Sequence, residues 1–192
     1  LALLFGKTAI QVCEGQQYDI DFEIRDDVSI QEYLTMIEYK TAVLLGAAMQ
    51  MGAIVAKASK ADQKAIYEFG KNLGIAFQLQ DDYLDVYGDP VIFGKQVGGD
   101  IIENKKTFLY LKASELLDGE NKEKLQSLYH KKTSPVSDKI GIVKQLFSSS
   151  GSENAIQTEI KNYTNKAFSV LKTINISEDK KSMLNNFGLQ LM

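Results

Sequence analysis

The chain has 192 residues, 44% of them hydrophobic, which is enough for one domain with its own core. Its 22 basic and 25 acidic residues give a net charge of -3, without the basic excess that would attract a polyanion, so nucleic acid is disfavoured as a partner. The lone Cys13 cannot form an internal disulfide and is expected to pack as a small hydrophobe. No apolar run reaches the roughly 18 residues of a membrane span. We therefore expect a single cytoplasmic domain, residues 1–192.

Helical patterns run through the whole sequence, which contains two prolines and no alternating run bounded by hairpin turns. The second helix begins at Ser29-Ile30-Gln31-Glu32, which has the form of a capping box, and the third ends at Gly88-Asp89-Pro90. In chain order, helices are predicted over residues 1–24, 29–58, 61–87, 104–117, 121–132, 137–148, 152–174 and 177–191. The predicted fold class is all-α.

An acidic stripe lies on the third predicted helix. At about 100° per residue, Gln78, Asp81, Asp82 and Asp85 share one face with Gly74. Like charges one turn apart repel, so this face favours a neutralising cation. Mg²⁺ prefers hard oxygen ligands and commonly combines one or two carboxylates with substrate phosphates. The stripe therefore predicts a magnesium-diphosphate site, and a solvated acidic face is the alternative.

Lys40 lies, by helical spacing, on an apolar stripe with Tyr33, Ile37, Leu44 and Ala47. A charge in such a place needs a partner. Two interpretations remain open, namely a salt bridge to a core carboxylate and a phosphate ligand inside a cavity.

Three further lysines follow the acidic helix. Lys95 lies in a glycine-rich loop, and Lys105 and Lys106 lie in the predicted first turn of the helix over 104–117. The helix dipole disfavours cations there, which suggests a bound anion, and free backbone N–H groups at that end would suit a phosphate. Solvated lysines are the alternative. Gln16 and Asp19, three residues apart on the first helix, are a weak signal alone.

Together these segments closely resemble the trans-polyprenyl diphosphate synthases, in detail from about Gly15 to Leu111. The segments are Gly15-Gln16-x-x-Asp19, Tyr39-Lys40-Thr41, Phe77-Gln78-x-x-Asp81-Asp82-x-x-Asp85, Gly94-Lys95, Gly99-Asp100 and Asn104-Lys105-x-Thr107. Their order and spacing match that family.

The resemblance implies an isoprenoid synthase-type helical bundle around a central cavity, in a homodimer. It implies an enzyme that adds isopentenyl diphosphate to an allylic diphosphate through Mg²⁺-assisted ionisation. These motifs do not determine the length of the product, and farnesyl or geranylgeranyl length is expected only because those lengths are frequent.

The resemblance also implies roles for individual residues. Asp81 would bind Mg²⁺, and Asp82 and Asp85 would complete the metal site directly or through metal-bound water. The remaining residues would contact substrate: Lys40, Lys95 and Lys105 at the allylic diphosphate, Thr41 and Gln78 at its reacting end, and Gln16 and Asp19 in the cavity lining.

The sequence departs from the family because the first aspartate-rich motif, and the arginine pair that follows it, do not occur in residues 1–192. We therefore expect the C-terminal portion of a synthase, incomplete at its N-terminus and without prenyl transfer activity by itself. Three alternatives remain: a class I terpene cyclase, whose second metal motif normally mixes Asn, Ser or Thr with Glu; a non-catalytic helical subunit of a heteromeric synthase; and a helical scaffold with an accidental acidic face.

Overall fold

The computed structural model describes residues 1–89, 97–130 and 136–192, and every regular element in these ranges is helical. The elements are α1 (Ala2–Ile24), α2 (Ile30–Ile37), a π-helical segment (Glu38–Ala42), α3 (Val43–Val55), α4 (Lys60–Tyr87), α5 (Gly99–Ile102), α6 (Phe108–Leu116), α7 (Gly119–His130), α8 (Val136–Ser150), α9 (Ser152–Thr173) and α10 (Glu178–Leu191). The all-α prediction is confirmed. Among the described residues, no helix is both long and apolar enough to cross a membrane.

Local sequence signals define several of these helix ends. Ser29 Oγ accepts the backbone N–H of Glu32 at 3.2 Å, while the Glu32 carboxylate accepts the backbone N–H of Ser29 at 2.9 Å. This reciprocal arrangement is the predicted capping box at the start of α2. The helix α4 ends at Tyr87, directly before the predicted stop signal.

The long helix predicted over 29–58 is interrupted by the π-helical segment. A π turn contains one more residue than an α turn, so it changes the face on which the following residues lie. Val43 and Ala47 are completely buried, whereas Leu44 is 56% exposed. The predicted apolar stripe is therefore wrong at Leu44, because the spacing was counted across this wider turn. Cys13 is also exposed, so its predicted packing role is wrong.

The contacts divide the chain into two compact units, and the prediction of a single domain stays a prediction. Unit 1 comprises Leu1–Ile20, Leu34–Gln78 and Glu159–Met192. Its core is a cluster of apolar side chains from α4, from α9 and from the residue just after α9, in which the Phe69 and Phe168 rings lie 6.2 Å apart. The buried members are Ile66, Phe69, Leu73, Ala167, Leu171 and Ile174.

Unit 2 comprises Asp21–Tyr33 and Leu79–Thr158. In this unit α5, α6 and α7 pack on α8. Its fully buried side chains include Leu109, Leu125, Val143 and Phe147. Burial of these apolar side chains holds α8 in contact with α5, α6 and α7. The position of α5 therefore depends on its packing against α8.

Candidate functional site

Asp82 points into the interior of unit 2. It is 5% exposed, and its carboxylate accepts a hydrogen bond from the hydroxyl of Tyr33, which is 2% exposed. A buried carboxylate needs such donors, because desolvation penalises its charge. Asp82 therefore has a structural partner besides its predicted role at the metal.

Asp85 caps the start of α5. Its Oδ2 accepts the backbone N–H of Asp100 at 3.0 Å, and its backbone carbonyl accepts the N–H of Gly98 at 2.5 Å. Burial and the nearby charge of Asp100 raise the pKa of Asp85, while the backbone N–H groups of Asp100 and Gly99 act in the opposite direction. This contact brings the aspartate-rich helix and the Gly98-Gly99-Asp100 turn together.

Asp100 adds an acidic group to which the sequence patterns assigned no role. Burial raises its pKa; the Lys105 ammonium, 3.2 Å from Asp100 Oδ1, opposes that rise, and the charge of Asp81 adds to it. Asp81, half-buried on α4, is therefore electrostatically coupled to Asp100. The position of Asp100 directly after two glycines, within one of the family motifs, was the signal that could have identified it.

This donor set fits a magnesium ion. Mg²⁺ needs only one or two protein carboxylates when phosphate oxygens and water supply its other ligands. Asp81, Asp85 and Asp100 provide hard oxygen atoms whose mutual repulsion a cation would relieve. In the described part of the chain, no group of three or more acidic, His or Cys side chains is placed so that it could hold a metal ion by itself, so substrate and water would have to supply the other ligands. The metal assignment of Asp81, Asp82 and Asp85 stays a prediction.

Lys105 and Lys106 do not lie in a helix. The helix α6 begins at Phe108 and its N-cap is Thr107, so the predicted start at residue 104 is wrong and the dipole argument does not apply to either lysine. Lys105 pairs with the carboxylates of Asp100 at 3.2 Å and Glu103 at 3.1 Å. Burial disfavours its charge, but these two carboxylates hold the pKa of Lys105 above its usual value.

Lys106 has a structural role at the end of α1. Its Nζ donates to the carbonyl oxygens of Phe22 at 3.1 Å and Arg25, and lies 3.3 Å from the Asp26 carboxylate. Carbonyl groups at a helix C-terminus lack intrahelical partners and favour a cation. This contact, which spans more than 80 residues of sequence, supplies partners for the nearly buried Lys106 side chain.

In unit 1 the structure joins two predicted substrate-binding residues. Lys40 Nζ lies 2.6 Å from Asp19 Oδ2, and both side chains are about one-third exposed. A partly solvated ion pair is weak, so each member can exchange its partner for a ligand. The structure thus contains a salt bridge at Lys40, with the partly exposed Asp19 and not a core carboxylate as its acid, and the phosphate interpretation of Lys40 stays a prediction.

A second predicted pair lies next to the first in sequence. The Thr41 hydroxyl donates to Gln78 Oε1 at 3.3 Å. Thr41 and Lys40 both belong to the π-helical segment, and single π turns occur frequently at functional sites.

Two predicted residues remain without a described contact to these pairs. Gln16 is exposed on α1, and Lys95 lies in 90–96, outside the described residues.

Sequence reasoning also missed Lys139, which is 4% exposed and donates from Nζ to Ile101 O at 2.5 Å and to the Asn104 side chain. It supports the turn that carries Asp100 and Lys105, and nothing in its local sequence indicates this.

The fold class is all-α, and the polar residues form two groups that each pair acids with a lysine: Asp19 with Lys40, and Asp100 with Lys105. The polyprenyl synthetase family model matches residues 1–146. The chain belongs to that family.

Named relatives agree with this assignment. The chain is 43% identical over 121 residues to a short chain isoprenyl diphosphate synthase of Methanothermobacter thermautotrophicus, a match that covers 63% of this chain and 37% of the relative. It is 44% identical over 132 residues to a geranylgeranyl diphosphate synthase of Sulfolobus acidocaldarius, covering 68% of this chain and 40% of the relative. The chain thus spans about two fifths of the length of these curated relatives.

Solved structures extend the likeness to nearly the whole chain. A crystal structure of a geranylgeranyl pyrophosphate synthase is 48% identical, with a TM-score of 0.92, and the match covers 98% of this chain and 58% of that one. A second, from Corynebacterium glutamicum, contains isoprenyl diphosphate and magnesium; it is 28% identical, with a TM-score of 0.88, over 98% of this chain and 53% of that one.

Proposed function

We propose that this chain takes part in prenyl transfer, the condensation of isopentenyl diphosphate with an allylic diphosphate. The observation that carries this proposal is the acidic group formed by Asp81, Asp85 and Asp100, with Lys105 beside it. Support comes from the family and from relatives named as short-chain, geranylgeranyl and geranylfarnesyl diphosphate synthases. A product of short-chain length is proposed accordingly.

We assign Mg²⁺ binding to Asp81, with Asp82 and Asp85 acting directly or through water. The related synthase that binds isoprenyl diphosphate and magnesium supports this cofactor. When bound, Mg²⁺ would act as a Lewis acid for the negative charge that develops on diphosphate as the allylic C–O bond breaks. The carboxylates would orient the diphosphate by holding its counter-ion in a fixed place.

Lysines would supply the remaining positive charge. Lys105 is kept charged by Asp100 and Glu103, so it can donate to a phosphate oxygen at any physiological pH. Lys40 would exchange its contact with Asp19 for a contact with a phosphate oxygen. Both contacts are charge-assisted hydrogen bonds of comparable geometry. Lys95 is assigned the same role from the family motif. Fixed cations of this kind stabilise the leaving group as its charge increases.

Thr41 and Gln78 are proposed to contact the reacting end of the allylic substrate, and Gln16 to line the cavity. The hydroxyl of Thr41 and the amide oxygen of Gln78 are 3.3 Å apart and present uncharged polar atoms. Such groups would turn the negative ends of their dipoles toward the developing positive charge, while exclusion of water would protect the carbocation from quenching. A homodimer and a cytoplasmic location are proposed from the same resemblance.

Asp81→Ala tests the metal and diphosphate assignment. We expect wild-type chain to bind inorganic pyrophosphate only with Mg²⁺ in calorimetry, and Asp81→Ala to weaken that binding at least tenfold, about 1.4 kcal/mol. Asp118→Ala is the matched control, because Asp118 is an exposed aspartate of the same unit. Equal affinity in Asp81→Ala and Asp118→Ala would contradict the assignment and favour an accidental acidic face.

Residues 1–192 contain a single DDxxD motif, at Asp81 to Asp85. We therefore expect this chain, by itself, to bind pyrophosphate but not to form product. The measurement is incubation of purified chain with labelled isopentenyl diphosphate, farnesyl diphosphate and Mg²⁺, followed by extraction of apolar label. Labelled product above the level given by Asp81→Ala would refute this expectation.

A further inference from the structure

Two glycines on different helices touch the backbone of the π-helical segment Glu38–Ala42. A Cβ added at Gly15 of α1 would overlap the backbone N of Lys40 and lie 2.8 Å from its Cα. A Cβ added at Gly74 of α4 would lie 2.6 Å from the Cα of Ala42. All of these residues belong to unit 1. Because the contacted atoms are backbone, no side-chain rotation can relieve such an overlap.

Each glycine is followed one helical turn later by the residue that binds the same segment. Asp19, four residues after Gly15, pairs with Lys40 at 2.6 Å. Gln78, four residues after Gly74, accepts the hydrogen bond of Thr41 at 3.3 Å. Residues four apart lie on one helix face. One face of α1 and one face of α4 therefore each provide two contacts to the π-helical segment: a glycine against its backbone, and a polar side chain bonded to Lys40 or Thr41.

A wide turn of this kind needs external support. A π turn is rare within α-helices and is retained where surrounding contacts favour it over the ordinary turn. Close approach of neighbouring backbones from two directions provides such contacts, and it is possible only where both neighbours lack a Cβ.

The geometry points to Gly15 and Gly74 as positioning residues that hold the π-helical segment and so fix where Lys40 and Thr41 present their polar groups. This inference rests on the proposed function for the role of Lys40 and Thr41, but the shape of the segment can be measured separately. Any side chain at either position would push its helix away and weaken the Asp19 or Gln78 contact.

The chain offers two kinds of matched control. Gly6 of α1 and Gly52 of α3 have no atom within 4 Å of an added Cβ, so alanine there introduces no overlap. Gly46 of α3 is tight in another direction, since the three atoms nearest its added Cβ all belong to Tyr67, with the backbone oxygen at 2.8 Å. Gly46→Ala thus reports what a tight helix contact does to stability alone.

The first measurement is amide hydrogen exchange by mass spectrometry on the full 192-residue chain. We expect Gly15→Ala and Gly74→Ala to speed exchange within residues 38–42 at least tenfold more than Gly46→Ala does, and Gly6→Ala to have no effect there. If exchange in 38–42 is no faster than in Gly46→Ala, the inference is overturned. If Gly15→Ala fails to fold, Gly74→Ala decides the question from the other side.

The second measurement is Mg²⁺-dependent affinity for inorganic pyrophosphate. We expect Gly15→Ala to weaken it at least fivefold in the wild-type background and by less than twofold in Lys40→Ala, since a positioning residue acts through the group it positions. An equal loss in both backgrounds would show a merely structural effect and overturn the inference. Absence of pyrophosphate binding by wild type would refute the proposed function instead, and exchange would still decide the role of the glycines.

Discussion

Replacing Asp82 with alanine is expected to lower the free energy of unfolding by about 3 kcal/mol. The carboxylate is 5% exposed and accepts the hydroxyl of the equally buried Tyr33. Its removal leaves a cavity and a buried hydroxyl without this acceptor, while relief of a buried charge offsets part of the cost. For a chain of this length the corresponding fall in melting temperature is about 6–12 °C. Urea unfolding followed by circular dichroism measures the effect.

A double-mutant cycle with Tyr33→Phe assigns the loss to the contact itself. We expect Asp82→Ala with Tyr33→Phe to be less destabilised than the sum of the two single variants, by about 1 kcal/mol or more. Strict additivity, or a loss below about 0.5 kcal/mol in Asp82→Ala, would show that the pair contributes little. Asp82→Asn keeps an acceptor oxygen, so its pyrophosphate affinity separates the charge of Asp82 at a metal from its role in the fold.

Replacing Lys139 with alanine is expected to cost a similar amount, about 3 kcal/mol. Its ammonium donates to the carbonyl oxygen of Ile101 in α5 and to the side-chain oxygen of Asn104, and it lies 5.3 Å from the centre of the Tyr129 ring. Asn104 has φ of 59°, a left-handed conformation that needs support in a residue other than glycine. Lys139→Met keeps the apolar stem and should lose about half as much, whereas Lys124→Ala, at an exposed lysine of α7, should lose almost nothing.

The stability contributed by Lys139 depends on pH with a defined sign. Burial lowers the pKa of Lys139 below its ordinary value of 10.5. Between the lowered folded value and 10.5 the unfolded chain binds more protons than the folded chain, so stability rises with pH. Relative to Lys139→Met, wild type should therefore gain stability as pH rises toward 10.5. A constant difference between the two across alkaline urea titrations would contradict the buried, charged placement.

The sequence predicts the helices well where their determinants are local. The capping box at Ser29, the stop signal after Tyr87 and the acids of α4 are all readable from a few neighbouring residues. The order of the family motifs predicts the fold class. It also assigns Lys40 and Asp19 to one functional group, and their side chains are in contact in the folded chain.

What the sequence could not predict depends on distant contacts or on a change of helical geometry. Asp82 was counted on the acidic stripe, but its angle of about 100° from Asp81 lets it turn inward to Tyr33, 49 residues away. The sequence pattern predicts an anion near Lys106 only if the helix begins at residue 104; because α6 begins at Phe108, that reason is lost, and the partners of Lys106 lie more than 80 residues back. Lys139 carries no local signal, since its contacts are to backbone and amide groups.

The π-helical segment also has a consequence for how the gene can vary. A π turn amounts to an α-helix with one residue inserted. Loss of any one residue between Glu38 and Ala42 would restore an ordinary turn and rotate all of α3 by about 100° relative to α2. Val43 and Ala47 would then leave the core, whichever residue had been lost. In this stretch the number of residues is constrained more tightly than the identity of most of them, so length variation among relatives should fall elsewhere.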